Sequence, residues 1–256
     1  MPGGPKSAST AGAAAGRREV VSGLEIFFIN LAHASPVLEA EEKRTTRLSA
    51  DDIARADAMA DTDARRFWRA SRIATRIALE RVGGTSLRRV AFRIERSGRP
   101  VIAGEGPHFS ISHTGHAALI AIAKSMAIGV DLEERGRKLR MSVDRRQRIA
   151  QAAQRLGVHM PLSAEDDGDI LTAWVQLEAI AKALGVGIGR LLTEQGVVGG
   201  PRSTRANSTA PPLAVRALSI DAEYVGAIAA ERLPKVLAVK PFPLTQMDTF
   251  LRGEPS

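Results

Sequence analysis

The sequence predicts an α+β protein of two comparable halves, each a small, mostly antiparallel sheet packed on a long helix. Three observations lead there. Short runs rich in β-branched and aromatic residues are separated by turn residues, two long helix-prone stretches end at glycine, and the order strand, helix, strands is followed by strands, helix, strands. With 256 residues, 44% hydrophobic and 25% charged, the chain can bury a sizeable core without covalent staples.

Residues 1–18 combine Gly, Ala, Ser and Pro with three cations and no acid, a composition expected to form a disordered tail. The expected N-terminal half, residues 19–108, opens on the strand-like LEIFFINLA that starts at Leu24. Ser49 and Asp52 read as a capping box that starts a helix reaching Arg81, closed by Gly83 and Gly84. Its cations Arg65, Arg66, Arg69, Arg72 and Arg76 read first as a solvated face. Residues 87–94 and 109–111 look like strands, joined through Ser97-Gly98-Arg99-Pro100 and the turn-rich 104–107.

The expected C-terminal half, residues 109–245, begins with apolar runs at 117–123 and 127–132 that suggest a hairpin around Lys124-Ser125. Residues 135–156 form a helix-prone stretch with eight cations and one acid. An acidic loop at 165–169 precedes a strong helix over 170–184. The Gly- and Pro-rich residues 196–212 read as a flexible loop, and 213–220, 224–230 and 235–239 as closing strands.

Composition narrows the function classes. The chain has no cysteine, which excludes disulfide scaffolds, cysteine zinc sites and thiol nucleophiles and suits a reducing cytoplasm. No apolar run approaches the roughly 20 residues of a membrane helix, so a cytoplasmic protein without a membrane partner is expected. The net charge of +8 favours polyanions or acidic proteins. An aromatic content of 4% leaves few stacking platforms for nucleic acid, so none is expected as a partner.

Three groups of residues can do chemistry. Asp131 and Glu133, two apart at a strand end, point to the same face and offer hard oxygen ligands for Mg²⁺, although an isolated D-x-E pair is common. Trp174, Glu178 and Lys182, spaced by four, line one face of a helix; alone, they read as a surface salt-bridge pattern. Ser112-His113-Thr114 reads as a turn after a strand, without the G-x-S-x-G elbow of a serine hydrolase, and suits a phosphate clamp.

The order of these signals is specific. Gly98-Arg99-Pro100, FSISHTG at 109–115, IGVDLE at 128–133 and WVQLEAIAKALGVGI at 174–188 resemble the four motifs of the surfactin-type 4′-phosphopantetheinyl transferases, the two-repeat, monomeric class. The resemblance implies the fold of that superfamily. It also implies transfer of the 4′-phosphopantetheine group of coenzyme A to a serine of an acidic acyl or peptidyl carrier protein, with release of adenosine 3′,5′-bisphosphate. In that reading Asp131, Glu133 and Glu178 hold Mg²⁺, Glu178 and Lys182 are catalytic, and Arg99, Ser112, His113 and Lys182 bind coenzyme A phosphates. One residue departs: Leu177 stands where the family has a lysine, which keeps open a catalytically weakened coenzyme A or carrier-protein binding module of the same fold. The basic stretch at 135–156 would steer the carrier protein, with Leu184, Ile188, Leu191 and Leu192 as an apolar landing patch or as core.

Overall fold

The computed structural model describes residues 23–159, 161–194 and 213–253; the tail at 1–18 and the loop at 196–212 lie outside the described residues. The elements are β1 (Leu24–Asn30), α1 (Leu31–Arg44), α2 (Ala50–Asp57), α3 (Thr62–Gly83), β2 (Phe92–Ile94), β3 (Pro100–Ile102), β4 (His108–Thr114), β5 (Ala117–Ala123) and β6 (Ile128–Glu134). They continue with α4 (Val143–Leu156), α5 (Asp167–Leu184), α6 (Ile188–Glu194), β7 (Ala214–Leu218), β8 (Tyr224–Ala230), β9 (Val239–Pro241) and α7 (Met247–Leu251). The class is α+β. Its sheets are four-stranded (β4-β5-β1-β9), two-stranded (β2-β3) and three-stranded (β6-β8-β7), with β1–β9 parallel and the other pairs antiparallel.

Side-chain alternation along the strands sets the layers. Phe27 and Ile29 of β1 and Ile120 and Ile122 of β5 join a core with α1 and α3. The alternate residues Ile26, Leu119 and Ala121 join a second core with Ile128, Val130 and Leu132 of β6 and Ile228 of β8. On the far side, Ala227 and Ala229 of β8 pack with α4, α5 and α6. The layer order is helix, sheet, sheet, helix, and β5 is buried at every residue because both its faces are covered.

Several expected boundaries change. The runs at 117–123 and 127–132 are not a hairpin: β5 pairs with β4 and β1, β6 pairs with β8, and the intervening turn passes from one sheet to the other. Burial on both faces makes the first run uniformly apolar and the second apolar but for Asp131, so neither shows which neighbour it pairs with. For the same reason the division at residue 108 does not follow the sheets, since β4 and β5 belong with β1, and β9 returns to that sheet near the end of the chain. Leu31 and Ala32 leave the strand and start α1, capped by the Asn30 side chain and disguised by Pro36 within it. The Ser49–Asp52 capping box forms, but its helix stops at Asp57 and Asp61 caps a new one. The helix in the basic stretch begins at Val143 behind the Ser142 cap. Among the described residues no helix is long and apolar enough to cross a membrane.

Candidate active site

The sites expected at Ser112, Asp131 and Lys182 meet where the edge strand β4 of one sheet lies along the edge strand β6 of another. No ladder joins these two edges. Hydroxyls do so instead: Val130 N–H donates to Ser110 Oγ (3.0 Å), Ser112 Oγ–H to Asp131 Oδ1 (2.7 Å) and Thr114 Oγ1–H to Glu133 Oε2 (3.3 Å). The period of two places all three hydroxyls on one side of β4, which runs straight through Thr114 and not into the turn expected at 112–114. Ser110 is not among the residues that the sequence singles out, although the S-x-S-x-T spacing of 110–114 carries the signal.

Asp131 and Glu133 leave β6 on the side opposite Ile128, Val130 and Leu132, and this side faces α5. Lys182 reaches down from α5. Its Nζ donates to Asp131 Oδ1 (2.8 Å), to the Val130 carbonyl (3.0 Å) and more loosely to the Ile111 carbonyl (3.5 Å), touching both edge strands. Glu133 is also paired with Arg137 (2.5 Å).

Close packing of α5 on β6 depends on Gly129. A Cβ there would lie 2.0 Å from the Ala179 carbonyl oxygen, 2.4 Å from Ala183 N and 3.0 Å from Lys182 Cβ. Only hydrogen fits.

Glu178, one turn before Lys182, is half-buried beside the same acids. Burial, reinforced by the charges of Asp131 and Glu133 and opposed by Lys182, raises its pKa from 4.5 to about 7. The native state therefore holds a proton that the unfolded chain releases between pH 4.5 and about 7. This contribution to stability is full below the lower value and is lost as pH rises to the upper one. Urea denaturation should show wild type losing about 2 kcal/mol relative to Glu178→Gln across that range. A pH-independent difference between the two proteins would contradict the raised carboxyl.

His113 and Arg99 do not join this cluster directly. His113 projects from β4 opposite Ser112, and its pKa is lowered by the protein around it and then by Lys182 and Arg72. Arg72, on the face that the sequence reads as solvated, has a side chain only 11% exposed. It lies over the Trp68 and Phe92 rings (4.9 and 5.4 Å), is 3.4 Å from Asp52, and has a buried Nη1 without a hydrogen-bond partner. Burial and the charges of Arg76 and Arg55 push its pKa down to about 10. Arg76 takes the better share of Asp52 and Arg69 is held by Glu39, so these two cations serve the structure.

Arg99 lies in the turn between β2 and β3 and donates through Nη1 to the carbonyls of Lys182 (2.8 Å) and Ala183 (3.4 Å) at the end of α5. A cleft of about 450 Å³ opens beside it, lined by 97–100, 109–111, Glu178, Lys182 and 186–189.

Leu177 points away from this cleft, fully buried in the core of α4, α5, α6 and β8. Placing a charge there costs its hydration, so Leu177→Lys should lower stability by about 3 kcal/mol or more in thermal and urea melts. A lysine variant with wild-type stability would show that the position reaches solvent. Leu191 and Leu192 belong to the same core, with Ile188 packed against it, whereas Leu184 is 37% exposed; the four residues do not form one landing patch.

Among the described residues no three His, Asp or Glu side chains converge as a metal-binding group. Asp131 nevertheless has a buried Oδ2 without a hydrogen-bond partner, next to the Glu178 carboxyl, which burial first and the charges of Asp131 and Glu133 after it keep protonated toward neutral pH. The site is short of positive charge. No protein-family model matches the chain, and no curated protein matches it.

Proposed function

We propose that the protein is a 4′-phosphopantetheinyl transferase of the surfactin-type fold, moving the 4′-phosphopantetheine group of coenzyme A to a serine of an acidic acyl or peptidyl carrier protein. One observation carries the reading: Asp131 Oδ1 receives both Ser112 Oγ–H (2.7 Å) and Lys182 Nζ (2.8 Å), joining residues from three separate motifs at one point.

The chemistry suits those groups. The carrier serine oxygen attacks the β-phosphorus of coenzyme A, the bond to the bridging oxygen breaks, and adenosine 3′,5′-bisphosphate leaves. Glu178, which lines the cleft beside Lys182, is placed to take the serine proton. Lys182 offsets charge on the pyrophosphate and the leaving group. Ser112 holds Asp131 in place, and His113, on the opposite side of β4, is the donor proposed for phosphate oxygens. Bound Mg²⁺ would supply Lewis-acid charge at the pyrophosphate. Asp131 and Glu178 would hold it, with Glu133 behind; one or two carboxylates plus phosphate oxygens suffice for this ion, so a three-acid cage is not required.

The exposed cations Lys138, Arg140 and Arg145 follow the acidic pair in the chain and suit an acidic carrier protein docking on a monomer in the cytoplasm, whereas Arg135 is held by the Ala222 and Tyr224 carbonyls and Arg137 by Glu133. Arg146 is excluded from that role because it is tied to Asp167 and to the Leu139 carbonyl. Leu177, where the resemblance implies a lysine, lies in the core and does not line the cleft. Mass spectrometry of a panel of apo carrier proteins incubated with coenzyme A and Mg²⁺ tests the proposal. A pantetheine adduct on the carrier serine is expected; coenzyme A binding without any adduct would overturn it.

A further inference from the structure

We infer that Arg99 is a positioning residue for Lys182, acting through the last turn of α5 and not by contact with phosphate. The inference rests on the reading that Lys182 serves phosphoryl transfer.

A helix end leaves its last four carbonyls without intrahelical donors, and it carries partial negative charge. In α5 the glycine cap at Gly185 and the Val186 N–H serve the carbonyls of Ala181 and Lys182. The Ala183 carbonyl is left over, and Arg99 Nη1 takes it together with that of Lys182. The backbone that carries the donor is tied into the turn. Gly98, at φ +85°, closes the turn, and Glu95 and Arg99 pair through their backbones (2.9 Å). Burial lowers the Arg99 pKa, and its Nε has no partner, so the guanidinium is committed to the helix end without being fully satisfied there.

The same residue whose carbonyl Arg99 grips projects its ammonium to Asp131 and the Val130 carbonyl. Sliding or fraying of this turn would move Nζ away from both edge strands. Arg99 thus links the β2–β3 turn to the placement of the catalytic cation, and this use of its Nη1 competes with a phosphate contact.

Arg99→Met and Arg99→Lys test the inference in steady-state transfer and in acetylation of Lys182 by an acylating reagent, read by mass spectrometry. Arg99→Met should lower kcat about 10- to 100-fold with KM for coenzyme A within about twofold, and should raise Lys182 acetylation. Arg99→Lys should restore much of kcat, because an ammonium can also cap terminal carbonyls. A raised KM with kcat kept would show a phosphate contact and overturn the inference. So would unchanged acetylation of Lys182 in a folded Arg99→Met protein. If that variant does not fold, Arg99→Gln, whose shorter side chain does not reach the end of α5, carries both measurements: lowered kcat with raised acetylation supports the role, and wild-type values of both overturn it. Absence of transfer by the wild type would instead count against the proposed activity, and the acetylation readout would still decide the role of Arg99.

Discussion

Asp131→Asn should abolish transfer, by about 10³-fold or more, while leaving the protein folded. The substitution keeps the shape and a partner for Ser112 but removes the charge that Lys182 meets at 2.8 Å. It also replaces the unpartnered Oδ2, the atom best placed to accept a cation. Carbonyls of Val130 and Ile111 still receive Lys182, so the seam between the sheets should survive and the melting temperature should move little. Transfer assays with and without EDTA, together with thermal melts, check this. Near-normal transfer by the variant, or wild-type transfer that survives chelation, would remove Asp131 and the metal from the reaction.

The second large effect is expected from a residue that carries no side chain. Gly129→Ala puts a methyl group where the Ala179 carbonyl oxygen lies at 2.0 Å and Ala183 N at 2.4 Å. These are backbone atoms of α5 and cannot step aside singly. The helix must lift from β6 as a body, carrying Glu178 and Lys182 with it. Overpacking of this kind costs about 3 kcal/mol, and displacement of catalytic groups by about 1 Å can cost 10²-fold in rate. Urea denaturation and the transfer assay should therefore both respond. Gly136→Ala, where a Cβ meets nothing within 4 Å, is the matched control and should behave as wild type. Normal stability of Gly129→Ala would mean that α5 does not lie so close to the strand.

Local chemistry made much of this protein legible in its sequence. Tyr224–Ala230 reads as a strand and forms one, the Ser49–Asp52 capping box forms as spaced, and α5 ends at Gly185 in the left-handed conformation. The alternation that puts Asp131 and Glu133 on one face of β6, and the four-residue step that aligns Trp174, Glu178 and Lys182, are properties of a strand and a helix taken singly. Only the tertiary structure decided what those faces meet. Pairing of β5 with β1 and of β6 with β8 depends on contacts between residues far apart in the chain, and a strand such as β5, apolar on both faces, carries no local mark of its partners. The same holds for charge. Arg69, Arg72, Arg76 and Arg99 look alike as letters, yet Glu39, a shared Asp52 and two helix carbonyls give them different work. The pKa of a carboxyl likewise depends on burial and on neighbouring charges brought together by folding, which is why Glu178 titrates near 7 beside Asp131 and Glu133.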